Sequence, residues 1–256
     1  MSQALAFGLE EVIQSRVRRE WAIFVLMGQR SLLMQVAHPL VAAAVREHSD
    51  YRRKPLQRLA HTFDLSMKLF TGTEAEAREA AKVINGVHRH VKGSDYDARD
   101  PALGKWVWSS LVDGSLVGHE LFVGPLTSGE KQAIFDTYCS RVALIGVAAD
   151  LPDTVEGVRQ YVDQMIDSGA VHAGPAAREI ARAILGPSLP GLYPLTSYLA
   201  RATLPESLRE QYGLRWSLGS EIVFTLGICQ VANRVLSRLT GDLRCLEIGE
   251  LETGEL

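Results

Sequence analysis

The chain is expected to be all-α, a single-domain bundle of many helices, and three observations carry that expectation. Apolar residues recur three and four positions apart through most of the 256 residues, the spacing that lines one face of a helix. No stretch alternates apolar and polar residues as a half-buried strand does. Segments with helix-start chemistry also alternate with segments rich in glycine and proline. Candidate helices cover about 8–37, 40–48, 55–70, 74–92, 101–122, 128–146, 154–168, 173–186, 190–202, 205–212 and 215–240, with boundaries good to two to four residues.

Taken in order, residues 1–20 read as a helical extension leading into the most apolar stretch, Trp21 to Val45, which Arg30, His38 and Pro39 interrupt. Proline disfavours helix for the residue before it, so His38 is expected at a helix break, where it caps, binds a carboxylate or turns the chain. The 55–70 helix carries Arg58, His61, Thr62, Leu65 and Leu69 along one side and Leu56, Leu59, Phe63, Met67 and Phe70 along the other. This pattern leaves little surface for water and predicts a helix buried on both sides. The next helix sorts its histidines: His88 falls in the stripe Ala80, Val83, Ile84, Val87, Val91, whereas His90 shares a solvated face with Arg78, Lys82, Gly86 and Arg89.

Asp100 before Pro101 reads as an N-cap with proline at the first helical position. Asp113 then sits among Trp106, Val107, Leu111, Val112, Leu116 and Val117, a setting in which a carboxylate pairs with an arginine such as Arg30. Thr127 to Glu130 and Thr154 to Glu156 carry helix-start chemistry. The segment Leu185 to Pro194 is the richest in breakers and reads as a loop or bend, and the acidic tail at 245–256 is expected to be mobile.

Arg58, His61 and Thr62 on one helix, with His88 on the next, suggest a buried redox site. A guanidinium and an imidazole in an apolar setting cost roughly several kcal/mol unless paired or coordinated. Spacing alone favours His88 as an ordinary core histidine bonded to a backbone carbonyl over a ligand.

Composition excludes several classes. With 46% hydrophobic residues, 22% charged and a net charge of −3, the chain has no basic cluster with interleaved aromatics, so nucleic acid is not an expected partner. Cys139, Cys229 and Cys245 are odd in number and far apart, which suits reduced thiols in the cytoplasm. His48, His119 and His172 have no metal-site spacing, and neither a His-Glu-x-x-His helix nor a Cys-x-x-Cys-His attachment occurs. No secretory signal and no convincing membrane span appear, although peripheral contact with lipid fits an enzyme of apolar substrates.

A set of ordered motifs adds to this reading. They are Gly28 through Arg30 to His38-Pro39, His48-Ser49, Arg58 to Thr62, His88 to Gly93, Tyr96 to Pro101, Trp106-Val107, Leu111 to Asp113 and Gly124 to Leu126. Weaker matches continue through Leu144 to Gly146, Leu151-Pro152, Leu204-Pro205 and Gly213 to Trp216. In order and spacing they resemble the catalytic domain shared by latex clearing protein and the MpaB-like oxygenase of mycophenolic acid biosynthesis.

That resemblance implies an all-helical fold around a noncovalent haem b, with dioxygen and a small apolar, unsaturated or lipid-like molecule as substrates and an electron donor of unspecified kind. It places His88 as the proximal iron ligand and Arg58 and Thr62 on the distal helix, with His61 between them as the third candidate catalytic residue. Arg30, His38 and Arg58 join His88 as candidate cofactor-binding residues.

The chain departs from the pattern in two places. Latex clearing protein has lysine where this chain has His61, and imidazole binds ferric iron more firmly than an amine does at neutral pH, so His61 is a candidate second axial ligand. The catalytic carboxylate of the rubber-cleaving branch has no matched residue, Glu47 lying in the corresponding region. Two other readings therefore stand beside the oxygenase: a noncatalytic bis-histidine haem-binding or redox-sensor protein, and a cofactor-free helical bundle.

Overall fold

The computed structural model describes residues 21–147, 150–186 and 193–228. Among them the chain is all-helical and forms no strand, its only β-type pairing being an isolated antiparallel bridge between Lys92 and Asp97. The expectations for residues 1–20, for most of the Leu185–Pro194 segment, for helix beyond 228, for Cys229 and Cys245 and for the tail lie outside the described residues.

Helix α1 (21–37) is the axle of the molecule. Ala22, Ile23, Leu26, Met27, Leu33, Met34, Val36 and Ala37 are all buried, and so are the polar Gln29, Arg30 and Ser31. A helix buried all round has its last carbonyls cut off from water, so they need partners. Trp106 Nε1 donates to the Gln35 carbonyl at 3.2 Å, the His172 amide to Ala37 at 2.9 Å and the Tyr212 hydroxyl to Leu33 at 2.7 Å. The helix ends because Pro39 opens α2 (Pro39–His48), and His38 stands between them in extended backbone, φ −72° and ψ 122°.

α5 (Pro101–Phe122) crosses α1 and is nearly as enclosed, burying Leu103, Trp106, Trp108, Val112, Leu116 and Phe122. The two come close at Gly114 and Gly118. A Cβ on Gly114 would lie 2.6 Å from Ser31 Oγ, and one on Gly118 would lie 2.6 Å from Ile23 Cγ2. Asp100 caps α5 by accepting from the Ala102 amide, with Pro101 at the start of the helix. The Arg30–Asp113 pair is present: Nη2 donates to Oδ2 at 2.6 Å, with side chains 4% and 13% exposed, and Nε donates to the Thr203 carbonyl.

Around this cross lie α3 (Pro55–Thr71), α4 (Glu74–His88), α6 (Ser128–Val142), α7 (Val155–Asp167), α8 (Pro175–Ile184), α9 (Tyr193–Thr203), α10 (Glu206–Gln211) and α11 (Leu218–Val223), with short 3-10 turns at Asp50–Arg52 and Ala143–Ile145. α4 and α6 start with reciprocal capping boxes, Thr73 with Glu76 and Thr127 with Glu130, each satisfying two orphan amides. Gly146, in the left-handed conformation at φ 80°, closes the turn after α6. The helix expected from 215 starts at Leu218 and passes into a π-helical turn, Phe224–Ile228. Among the described residues no helix is long and apolar enough to cross a membrane.

One packing expectation is corrected. α3 is buried on one side only: Leu69 and Phe70 are buried, and Phe63 lies edge-on to Trp21 and Phe24 of α1. Gln57, Arg58, Ala60, His61, Asp64 and Lys68 are exposed. The hydrophobic stripe is wide enough to suggest two contacts, but the exposed positions fall together on one face of the helix and the buried ones on the other. On α4 the stripe is likewise split, since Ala80 and Ala81 are buried while Val83 and Val87 are exposed.

Candidate functional site

α3 and α4 form an antiparallel helical hairpin joined at Gly72 and Thr73. The first turn of α3, bearing Arg58, is thereby brought beside the last residue of α4, His88. Gly72 sits close against α3 and α4: a Cβ there would lie 2.5 Å from the Lys68 carbonyl. The hairpin explains how two residues far apart in sequence meet.

Arg58 is held on two sides. Its Nε donates to Ser49 Oγ at 3.2 Å, from the residue that ends α2, and its Nη1 donates to Thr62 Oγ1 one turn along α3. Thr62 gives its own proton to the Arg58 carbonyl at 2.9 Å. Among the described residues no carboxylate pairs with this guanidinium, and although the residue as a whole is exposed, partial desolvation of the guanidinium lowers its pKa from the ordinary arginine value. Nη2 keeps both its N–H groups uncommitted.

His88 is half-buried and its pKa is lowered, first by burial and then by the neighbouring charge of Arg58. A helix C-terminus favours a protonated histidine. Here desolvation and the guanidinium act against that effect and favour the neutral ring. Among the described residues it makes no hydrogen bond and no ion pair, and the core-histidine arrangement, with the ring tied to a backbone carbonyl, is not seen. His61 is exposed on α3 one turn from Arg58, and His90 is exposed beyond the end of α4.

Next to this pair the loop between α4 and α5 folds back on α2. Tyr96 is buried, donates to Glu47 Oε2 at 2.6 Å and lies edge-on to His48 with ring centroids 6.1 Å apart. Burial, then the hydrogen bond to Glu47, pushes the phenol up to about 12. The ring fills the space beside Gly93, where a Cβ would meet it at 2.6 Å. Glu47 and Ser49 therefore flank His48 with two different tasks, one holding the loop and one holding Arg58.

The other candidates sit apart. Arg30 lies in the α1–α5 crossing with Asp113, and among the described residues one of its nitrogens, Nη1, is buried without a partner, as are Gln29 Oε1, Trp108 Nε1 and Ser109 Oγ. His38 caps α2, its Nδ1 accepting from the Leu40 amide at 3.3 Å. Its pKa is lowered mainly by burial, with Asp100 raising it and His172 lowering it further. The arrangement thus brings together Arg58, Thr62 and His88, leaves His61 at its edge, and puts Arg30 and His38 to work in packing and capping. Ser49 and the Tyr96–Glu47 pair had no signal in the sequence beyond membership of a motif, because each contact depends on how three helices and a loop meet.

Among the described residues no group of three or more histidine, cysteine, aspartate or glutamate side chains could hold a bare metal ion. A porphyrin supplies four of its iron's ligands and asks the protein for only one or two axial donors. A neutral, unpartnered imidazole meets that demand, and the adjacent uncompensated guanidinium suits an anionic group such as a propionate.

Among the described residues the chain is all-helical, with a half-buried His88 beside an arginine that has no carboxylate partner. Its family is given by a family model, described as "ER-bound oxygenase mpaB/B'/Rubber oxygenase, catalytic domain", which matches residues 15–234; the chain belongs to that family of oxygenase catalytic domains. No curated protein and no solved structure matches it.

Proposed function

We propose that this protein is a haem b-dependent oxygenase acting on a small apolar substrate, unsaturated or lipid-like, with dioxygen. The observation that carries the reading is His88: a neutral, half-buried imidazole with no hydrogen-bond partner among the described residues, beside an arginine that has no carboxylate. Haem, if bound, would be held by His88 and would supply the dioxygen and one-electron chemistry.

The chain's own residues have distinct tasks in this reading. Arg58 offers its free Nη2 donors and its charge to an anionic group, either a propionate or negative charge developing in the reaction. Thr62 is a positioning residue, because its hydroxyl both accepts from the guanidinium and is spent on the Arg58 carbonyl. Ser49 positions the same group from α2. Val83 and Val87, exposed on the helix that carries His88, supply apolar surface for the cofactor or substrate. His61, exposed on the same helix as Arg58, would be the second histidine available to hold the group.

Visible absorption of the haem-supplemented protein tests the assignment, with His88→Ala and His61→Ala alongside. The expected result is a Soret band that is lost or shifted in His88→Ala, kept in His61→Ala, and followed by carbon monoxide binding on reduction. A band absent from all three samples would sink the haem assignment. A reduced wild type that binds carbon monoxide only after His61→Ala substitution would instead make it a bis-histidine protein.

A further inference from the structure

Away from the α3–α4 hairpin, α9, the turn after α10 and the start of α11 line an open, shallow pocket of about 330 Å³. Its walls include Tyr198 and Trp216, whose rings lie 5.3 Å apart. The polar atoms of both are already committed: the Tyr198 hydroxyl donates to the Ser220 carbonyl at 2.6 Å, and Trp216 Nε1 donates to Glu221 Oε2 at 2.6 Å. Arg209 is committed too, its guanidinium lying over the Trp216 ring, donating to the Arg201 carbonyl and standing 3.9 Å from Glu206. The aromatic side chains therefore present apolar surface.

Arg201 and Arg215 also line the pocket, and they differ from every other polar group there. Among the described residues neither guanidinium makes an ion pair or a side-chain hydrogen bond. Two uncommitted guanidinium forks in a concave site suit an acceptor that carries two charges and several oxygens, which a phosphate monoester does and a carboxylate does not. The volume exceeds that of a phosphate alone and leaves room for the group to which it is attached. Immediately outside, Leu218 is 78% exposed, and Ile222 one turn later is half exposed.

We propose that this pocket is a binding site for a phosphate group, from a soluble phosphate ester or from the headgroup of an anionic lipid whose chains would lie along Leu218 and Ile222. Arg201 and Arg215 grip the oxygens, and Trp216 and Tyr198 form the apolar wall. The site is separate from the haem reading and stands or falls independently of it.

The test uses the full chain and two probes: calorimetric titration with inorganic phosphate, and sedimentation with vesicles of phosphatidylcholine containing phosphatidic acid, against pure phosphatidylcholine. Arg215 is exposed, so Arg215→Gln leaves folding intact, which thermal melting by circular dichroism checks. Arg201→Gln/Arg215→Gln completes the set. The expected result is saturable binding weakened about tenfold or more by Arg215→Gln and abolished in the double variant. Binding of phosphate in solution would assign a soluble ester, and binding only to vesicles with phosphatidic acid would assign a lipid headgroup. Binding of neither probe, equal binding to pure phosphatidylcholine, or binding that survives the double substitution would overturn the proposal.

Discussion

Asp113 illustrates how much one buried atom pair can matter. Its partner Arg30 is almost wholly enclosed and has no other charge to lean on. Asp113→Ala would strand that guanidinium in the core, and chemical denaturation should register a loss of about 3–5 kcal/mol. Arg30→Met/Asp113→Leu removes both charges and is expected to regain most of it; a double variant as unstable as the single would show that packing rather than charge sets the cost. Tyr96 makes a milder case. Its phenol is pushed up to about 12, so Tyr96→Phe should delete one late-titrating component from the spectrophotometric tyrosine titration, while that of Tyr212, also raised by burial, remains. The stability lost should be about 1 kcal/mol, since Glu47 is exposed and can turn to water.

Helix ends are the units at which the elements respond to mutation and pH. Thr127→Ala removes the side-chain half of a complete capping box on α6 and should cost about 1 kcal/mol in thermal or denaturant unfolding. His38 couples the α1–α2 junction to pH. Its pKa is lower in the folded state than its ordinary value of 6.5, so the unfolded chain binds more protons between the two values and stability rises with pH there. The contribution is present above 6.5 and is lost as pH falls through the folded value. His38→Asn keeps a capping oxygen without a titrating ring. Its unfolding free energy should therefore fall less steeply between neutral and acid pH than that of the wild type, and parallel curves would remove His38 as the cause.

Across the whole molecule, α1 is held by groups from distant parts of the chain, and at Gly118 its crossing with α5 leaves no room for a side chain. Gly118→Ala places a methyl 2.6 Å from Ile23 and 2.8 Å from Met27. Overpacking at a crossing typically costs about 1–3 kcal/mol, so the variant should unfold at lower denaturant, whereas Gly129→Ala, where nothing lies within 4 Å, should not. Tyr212→Phe leaves the Leu33 carbonyl with one partner fewer in a buried site. A loss of about 1–2 kcal/mol is expected in the same measurement.

The helices, their starts at Asp100, Thr127 and Thr154, the break at His38-Pro39, the Arg30–Asp113 pairing and the family itself are legible in the residues. Each depends on spacing within a turn or two, on capping chemistry, on the need of a carboxylate in an apolar helix for a cation, or on ordered motifs. Which flank of α3 meets water was not legible, because two apolar stripes on one helix look alike until the neighbours are placed. Nor was the latch of Ser49 and Thr62 on Arg58, the Tyr96–Glu47 bond, or the pair of uncommitted arginines beside Trp216. The sequence by itself determined the elements and which chemistries they carry. Only the tertiary structure decided which of those groups meet, because periodicity is a property of one helix, whereas a contact between residues far apart in the chain is set by where helices cross.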